Sequence, residues 1–302
     1  MDLWIPEYPR HDAVGDLPAD VTCHTFAPQA PVPSEALATE FFVPSHRTPG
    51  LDESVPRMTQ LRVLQTLSAG VDWLLPIVPA GVTICDASGA RDAAVAEWVV
   101  ATILSSVKRL GECRDRQREH RWLPSEPGDL AGSTVMILGY GSIGHAVEAR
   151  LSPFDVDIIR VARRARAGIR AVDELAQLMA LADVLVVLLP LTPATRGLLD
   201  ADLLGRLPPG ALFVNAARGA IVDTEALLEL VHARGLRAVL DVTDPEPLPA
   251  EHPLWDAPGV SITPHFAGDS PGAERRAFQL VGEQVRRYLR GERLANVVEH
   301  GY

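Results

Sequence analysis

An apolar run that leads directly into spaced glycines is the feature that most constrains this chain. Residues 134–144 read T-V-M-I-L-G-Y-G-S-I-G. The run predicts a buried parallel strand, and the segment 142–151 can form the helix that follows. Gly139 would permit a tight turn, Gly141 would let the backbone approach a pyrophosphate, and Gly144 would let the helix pack closely on the sheet. The pattern predicts a dinucleotide-binding site, and a plain strand–turn–helix is the alternative.

Length, charge and cysteine content narrow the class of protein. The chain has 302 residues, enough for two domains, and a formal net charge of -11. Binding nucleic acid needs clustered Lys and Arg, so this charge argues against such a partner. No apolar run is long enough to span a membrane, and the first ten residues lack the apolar core of a signal peptide. The widely spaced Cys23, Cys85 and Cys113 are expected to be reduced thiols, which predicts a cytoplasmic protein.

Short apolar runs alternate with helical patterns along nearly the whole chain, which predicts the α/β class with parallel sheets. The predicted strands are 3–6, 39–44, 61–67 and 82–86, then 135–138, 156–161, 184–189, 211–216, 237–242 and 260–263. One long helix is predicted over 93–114 and a last helix over 273–289. The six later strands predict a Rossmann-type doubly wound sheet within 93–270. A smaller α/β domain would comprise 1–92 and 271–302. The apolar stripe of the last helix would pack on the part formed by 1–92, which makes this domain discontinuous.

Three residues suited to carbonyl–alcohol redox chemistry follow three of the predicted strands. In an open parallel sheet, ligands bind beyond the carboxyl ends of the strands, where Arg218, Glu246 and His265 would lie. A guanidinium can hold a carboxylate and polarise a carbonyl, and an imidazole can donate a proton as hydride arrives. Taken singly, Arg218 could serve a surface ion pair or helix cap, Glu246 could be a solvated acid, and His265 could be structural. The remaining histidines show no metal-ligand spacing, so no metal is expected.

Longer motifs make the chain recognisable. They are P-L-T-P-A-T-R-G-L at 190–198, V-N-A-A-R-G-A-I-V-D at 214–223, L-D-V-T-D-P-E-P-L-P at 240–249 and T-P-H-F-A-G at 263–268. With these motifs the chain resembles the D-isomer-specific 2-hydroxyacid dehydrogenases, the family of phosphoglycerate dehydrogenase and glyoxylate/hydroxypyruvate reductases, over essentially its whole length. The resemblance implies that Arg218, Glu246 and His265 are the catalytic trio. It also implies a flavodoxin-like substrate domain and a homodimer.

The resemblance further implies which residues bind the cofactor and the substrate. The implied cofactor-binding residues are Gly139, Gly141, Ser142, Ile143, Gly144, Pro190, Thr195, Ala216, Ala217, Arg218, Asp241, His265 and Gly268. Among them, Asp241 matches the family's aspartate on the nicotinamide side. The loop Ser68-Ala69-Gly70-Val71 resembles the family's carboxylate loop and would bind substrate together with Arg218. An ordinary glycine turn is the alternative for that loop.

One departure from the family pattern concerns the choice of cofactor. Most NAD-using members end the second strand of the nucleotide domain with an aspartate that accepts from the adenosine ribose. Here that position is Ala162, and Arg163, Arg164 and Arg166 follow it. An acid would repel a 2'-phosphate, whereas arginines would pair with it. Arg163 and Arg164 therefore predict that NADP is preferred, with NAD possible; a solvated basic turn is the alternative.

The predicted function is reduction of a small 2-oxo acid, such as glyoxylate or hydroxypyruvate, to the D-2-hydroxy acid. One alternative is a nucleotide-sensing, corepressor-like binding protein of the same fold. Another is a dehydrogenase of a different small anion, such as formate or phosphite. Resemblance to formate dehydrogenases would lead us to expect Gln at position 246, and this chain has Glu246.

Overall fold

The computed structural model describes residues 1–298, and its contacts divide the chain into two units. The first unit comprises Met1–Asp92 and the chain from Asp269 onward, and the second comprises Ala93–Gly268. The sequence predicts that the C-terminal part of the smaller domain starts at residue 271, two residues after Asp269. Asp269 belongs to the first unit because it forms an ion pair with Arg91, and Ser270 caps the last helix. Residues 299–302, predicted from the sequence to belong to the smaller domain, lie outside the residues that the structure describes.

Twelve strands and eight α-helices make up the described chain, connected in part by short 3-10 turns. The strands are β1 Asp2–Pro6, β2 Thr22–Phe26, β3 Phe41–Phe42, β4 Val63–Gln65, β5 Thr83–Cys85, β6 Thr134–Leu138, β7 Asp157–Ala162, β8 Arg170–Ala171, β9 Val184–Val187, β10 Leu212–Asn215, β11 Arg237–Leu240 and β12 Val260–Ile262. The helices are α1 Leu51–Ser54, α2 Asp92–Val107, α3 Leu110–Arg118, α4 Ser142–Leu151, α5 Leu175–Leu178, α6 Ala201–Leu204, α7 Thr224–Arg234 and α8 Pro271–Leu289.

The second unit contains a fully parallel sheet in the order β12-β11-β10-β9-β6-β7-β8. Successive residues of β6 enter different cores, since Met136 and Leu138 pack on one face of the sheet and Val135 and Ile137 on the other. A parallel sheet buried on both faces is the doubly wound arrangement. The predicted Rossmann-type fold is confirmed, and the two-residue edge strand β8 joins the six predicted strands.

The first unit contains a second parallel sheet, in the order β2-β1-β3-β4-β5. This is the flavodoxin-like order, so the predicted class of the smaller domain is also confirmed. Its edge strand β2 was not predicted, because its sequence T-C-H-T-F is mostly solvent-facing and lacks an apolar run. Helix α8 packs on this sheet through the buried Phe278, Val281 and Val285. Burying each such side chain stabilises the unit by about 1.5–3 kcal/mol.

The prediction of one continuous helix over 93–114 is wrong, because the chain forms two separate helices there, α2 and α3. Helix α2 ends at Val107, and Arg109 has a φ of 54°, in the left-handed region that a continuous helix excludes. The carbonyl of Val107 accepts from the amide of Gly128 at 3.0 Å, a tertiary contact that accompanies the break. Leu110, the first residue of the separate helix α3, is 54% exposed.

Candidate active site

The three glycines of the turn after β6 differ in the space around them, and their binding of a pyrophosphate stays a prediction. Gly139 has a φ of 104°, and a Cβ there would lie 2.5 Å from the carbonyl carbon of Leu188. A Cβ at Gly144 would meet atoms at 3.2–3.3 Å, which reflects close packing of α4 on the sheet. At Gly141, which precedes α4, a Cβ would point into open space. A helix N-terminus beginning at Ser142 and Ile143 behind an open glycine turn fits a pyrophosphate.

A polar network ties this glycine turn to the next strand, and sequence reasoning missed it. The hydroxyl of Tyr140 donates to Glu148 on α4, and the same carboxylate accepts from Arg160 on β7, with Nε at 2.7 Å. The guanidinium of Arg160 also lies 5.9 Å from the centre of the Tyr140 ring. The sequence shows Tyr140 between two glycines, but that position alone does not predict which side chains Tyr140 contacts.

The basic turn after β7 lies against the glycine turn. Ala162 ends the strand, and Arg163 and Arg164 are exposed. Arg166 donates through Nη2 to the carbonyl oxygen of Tyr140 at 3.0 Å and exchanges backbone hydrogen bonds with Ile169. Arg166 is therefore committed to holding the turn. The pairing of Arg163 and Arg164 with a 2'-phosphate stays a prediction.

The carboxyl ends of β10, β11 and β12 are adjacent, because β11 pairs with both of its neighbours. The buried Asn215 ends β10 and shapes the turn that follows. Its Oδ1 accepts from the amide of Ala217 at 3.0 Å, and its Nδ2 donates to the carbonyl of Arg218 at 3.1 Å. A Cβ at Gly219 would lie 2.0 Å from the carbonyl oxygen of Thr243, so only glycine permits this approach to the segment after β11. The Arg218 guanidinium donates to the Ala217 carbonyl at 2.7 Å.

His265 and Glu246 form an imidazole–carboxylate pair. Nδ1 of His265 lies 2.6 Å from Oε1 of Glu246, and the two side chains are 47% and 40% exposed. His265 has a φ of 52°, and such a conformation in a residue other than glycine costs on the order of 1 kcal/mol. Its backbone amide donates to the Asp241 carbonyl at 2.8 Å. Strain of this kind, stabilised by specific contacts, is frequent where a side chain must be aimed.

Asp241 holds the segment that carries His265. Its carboxylate is buried and accepts from the Thr263 hydroxyl at 2.6 Å, the Phe266 amide at 3.0 Å and the Ala267 amide at 2.9 Å. A carboxylate offers about four lone-pair sites, and three are used here. Its predicted contact with the nicotinamide stays a prediction. The role of Thr263 was not anticipated from the sequence.

Other predicted residues lie in ordered turns. The Thr195 hydroxyl accepts from the Thr192 amide at 2.8 Å and donates to the Pro190 carbonyl at 2.6 Å, so it closes the turn after β9. Ala216 directly follows β10, and Gly268 ends the second unit. None of these contacts tests their predicted binding to a cofactor.

The predicted carboxylate loop belongs to the first unit, directly after β4. The Ser68 hydroxyl donates to the Gly70 carbonyl at 3.0 Å, and Nε1 of Trp73 donates to the same carbonyl at 3.1 Å. Ala69 is half-buried and Val71 is buried. The loop is therefore an ordered turn, and its binding of an anion stays a prediction.

Two features are absent from residues 1–298. No group of three or more His, Cys, Asp or Glu side chains there is arranged to hold a metal ion. None of the helices described combines the length and the apolar character that crossing a bilayer requires.

Comparison with known proteins places the chain in a family. The model of the D-isomer specific 2-hydroxyacid dehydrogenase, NAD binding domain, matches residues 100–267. Formate dehydrogenase of Arabidopsis thaliana is 30% identical over 80% of this chain and 66% of that protein. D-3-phosphoglycerate dehydrogenase of Mycobacterium leprae is 35% identical over 72% of this chain, which spans only 43% of that protein. Glyoxylate reductase/hydroxypyruvate reductase of Mus musculus is 34% identical over 77% of this chain and 75% of that protein.

Solved structures of the same family align along the whole chain. A D-isomer specific 2-hydroxyacid dehydrogenase from Xanthobacter autotrophicus, in complex with NADPH and MES, aligns with a TM-score of 0.83 and 27% identity, covering 100% of this chain and 99% of that one. An NADPH-dependent glyoxylate/hydroxypyruvate reductase from Sinorhizobium meliloti, in complex with NADP and sulfate, aligns with the same TM-score, 26% identity and the same coverage. The resemblance found in the sequence motifs is thereby confirmed, and the chain belongs to the family of NAD(P)-dependent D-isomer specific 2-hydroxyacid dehydrogenases.

Proposed function

We propose that this protein is a reductase that converts a small 2-oxo acid, of the type of glyoxylate or hydroxypyruvate, into the D-2-hydroxy acid. The observation that carries the proposal is the 2.6 Å contact between His265, which follows β12, and Glu246, which follows β11. Strand β11 lies between β12 and β10, the strand that Arg218 follows. An imidazole held by a carboxylate is suited to moving a proton to and from a carbonyl oxygen. The relatives and structural neighbours named as 2-hydroxyacid dehydrogenases and glyoxylate reductases support the same chemistry.

Each member of the trio has a separate task in this mechanism. A reduced nicotinamide cofactor, when bound, supplies the hydride. Arg218 pairs with the substrate carboxylate and polarises the carbonyl. His265 donates a proton from Nε2 to the carbonyl oxygen while Glu246 holds Nδ1 and fixes the ring orientation. The carbonyl carbon gains a hydride and the oxygen gains a proton, so the product is the 2-hydroxy acid.

NADP is the cofactor we propose, with NAD as a weaker substitute. The support is Ala162 at the end of β7 and the exposed Arg163 and Arg164 that follow it. Both solved structures described above were obtained with NADPH or NADP. A guanidinium forms bidentate pairs with phosphate, whereas no carboxylate occurs between Ala162 and Asp173 to accept from a ribose.

The experiment follows absorbance at 340 nm with NADPH and a panel of 2-oxo acids. We expect turnover by the native enzyme, a loss of at least about a hundredfold in kcat for His265→Ala, and a loss of about tenfold or more for Glu246→Gln, since general acid–base catalysis contributes about 10²–10⁴-fold. Fluorescence titration with NADPH should show that His265→Ala still binds cofactor. Tight cofactor binding without turnover on any oxo acid would instead support the binding-protein alternative. Oxidation of formate alone would support the formate alternative.

We further propose a homodimer in a reducing cytoplasm. Trp122 is 98% exposed, and Leu110 and Leu123 are also exposed. Leu110 begins α3, and the segment with Trp122 and Leu123 folds back on that helix, since Arg116 donates to the Leu123 carbonyl at 3.3 Å. Exposed apolar side chains grouped in this way mark protein–protein contacts, and the unpaired cysteines are usual in a reducing compartment. Light scattering should give twice the chain mass for the native protein and a lower mass for Trp122→Ser.

A further inference from the structure

The first unit contains a cavity that the mechanism above leaves unused. Its volume is about 320 Å³, and every residue lining it belongs to that unit. The loops after β3 and β4 form one side, and the N-terminal end of α8 forms another. Ser68 lines the cavity and is also the first residue of the predicted carboxylate loop. A substrate whose carboxylate sits on that loop would therefore have the rest of its structure at the cavity.

The cavity is larger than the simplest substrate requires. Ligand pockets in proteins typically measure about 300–1,000 Å³, and this cavity reaches the lower end of that range. A two-carbon oxo acid such as glyoxylate would leave most of it unfilled. Its size therefore favours a substrate with a longer chain beyond the carbonyl carbon.

The charge of the cavity wall indicates what that longer chain carries. Three arginines and two carboxylates line it: Arg10, Arg47, Arg91, Asp269 and Glu274. Two arginines are neutralised, since Arg91 pairs with Asp269, and Arg10 lies 3.7 Å from Glu274. Arg47 leaves a net positive charge at this place, in a chain whose formal net charge is -11.

The loop that presents Arg47 is ordered by its neighbours. The buried Ser45 accepts from the amide of Arg47 at 3.1 Å, and its hydroxyl lies 2.8 Å from the hydroxyl of Tyr8. The amide of Thr48 also donates to the Ser45 carbonyl at 3.0 Å. An arginine on a fixed backbone loses less conformational freedom when it pairs with an anion.

We propose that this cavity receives the distal end of a 2-oxo acid that carries a second anionic group, and that Arg47 selects for this group. The inference rests on the proposed reductase function and names its substrate class. A guanidinium matches both a carboxylate and a phosphate ester, so these are the two forms the group can take. Reduction proceeds as above, with hydride to the carbonyl carbon and a proton to its oxygen, and the distal anion is unchanged.

The experiment compares kcat/KM within two substrate pairs that differ in the distal charge. The carboxylate pair is 2-oxoglutarate against 2-oxohexanoate, and the phosphate pair is 3-phosphohydroxypyruvate against hydroxypyruvate. We expect at least one pair to favour the anionic member by about tenfold or more. Which pair does so distinguishes a carboxylate from a phosphate. The preference should weaken as salt is raised, because an exposed guanidinium is screened.

A variant series assigns the preference to one side chain. In Arg47→Ala the ratio of anionic to neutral kcat/KM should fall about tenfold, mainly through KM of the anionic substrate, and Arg47→Lys should restore part of it. Arg57→Ala, at an exposed arginine of the same unit outside the cavity lining, should leave the ratio at the native value.

The possible failures are distinguishable. If no 2-oxo acid is reduced, the proposed function itself fails. If 2-oxo acids are reduced but the member without the distal anion is equal or better in both pairs, the function stands and the inference about Arg47 is overturned. An anionic preference that survives unchanged in Arg47→Ala would also overturn it.

Discussion

At the scale of single residues, His265 is positioned from two sides. Glu246 holds its ring, and Asp241 holds its backbone by accepting the hydrogen bonds of the flanking Thr263, Phe266 and Ala267. The left-handed φ of His265 is maintained by those contacts. A buried carboxylate that loses its donors becomes costly, so the segment and the aspartate stabilise each other.

The two exposed arginines after Ala162 lead to a prediction about cofactor choice. The double variant Arg163→Ala/Arg164→Ala should lower kcat/KM for NADPH by about tenfold to a hundredfold and shift the NADPH/NADH ratio by a similar factor. The reason is that a charge-assisted hydrogen bond contributes about 1.5–3 kcal/mol. Initial rates against each cofactor measure the shift.

Arg166 offers a matched control in the same turn. Its guanidinium donates to the Tyr140 carbonyl. Arg166→Ala should therefore lower kcat/KM for NADPH and for NADH to a similar degree, because it loosens the glycine turn. An equal loss of NADPH and NADH activity in the double variant would contradict the assignment of Arg163 and Arg164 to the 2'-phosphate.

At the scale of elements, three consecutive pieces of the nucleotide-binding unit are joined by one carboxylate. Glu148 on α4 accepts from Tyr140 in the glycine turn and from Arg160 on β7. The hydrogen bonds from Arg160, and after them those from Tyr140, hold the pKa of Glu148 below its ordinary value. The helix, the turn and the strand therefore keep their relative placement through a partly buried charge.

Glu148→Gln should lower the free energy of unfolding by about 1–2 kcal/mol at pH 7, because a charge-assisted pair is lost. A lowered pKa in the folded state means that the stabilisation is fully present above the ordinary pKa of 4.5 and is lost as pH falls below it. Urea melts should therefore show the difference from native protein shrinking towards pH 3.

The control for this prediction is Glu97→Gln. Glu97 pairs with Arg150 of the same helix α4 at 3.3 Å, but its side chain is 70% exposed. Exposed pairs of this kind contribute little, about 0–1 kcal/mol. A pH-independent difference for Glu148→Gln, or an equal effect of the two substitutions, would refute the account.

At the scale of the whole molecule, the chain leaves its first unit, builds the second, and returns. The return is secured by Gln284 on α8, which is fully buried. Its Nε2 donates to Oε1 of Gln65 on β4 at 2.9 Å and to the Ala295 carbonyl at 2.7 Å, and its Oε1 accepts from the Ala295 amide at 2.8 Å. One amide thus connects the sheet, the last helix and the segment after it.

Gln284→Leu should destabilise the first unit by about 2–3 kcal/mol, because similar volume is kept while buried polar partners lose their hydrogen bonds. Calorimetry should show the lower transition temperature, and hydrogen exchange should place the loss in the first unit. Gln279→Leu, at an exposed position on the same helix, is the control and should change stability little. Equal effects at the two positions would contradict this role for Gln284.

The sequence by itself determined the class of the fold, the glycine turn and the identity of the catalytic candidates. Strands buried on both faces must be apolar throughout, and this composition is visible along the chain. Gly139, with a φ of 104° beside the Leu188 carbonyl, admits no other residue, so the turn is also visible in the sequence. The motifs around Arg218 and His265 are equally local.

The tertiary structure decided everything that depends on contacts between distant segments. The break between α2 and α3, the solvent-facing edge strand β2, the three hydrogen bonds accepted by Asp241 and the net charge of the cavity near Arg47 arise when separate segments meet. Periodicity along the chain reports only the face a residue presents to a core. It carries no information about which polar atoms meet across that core.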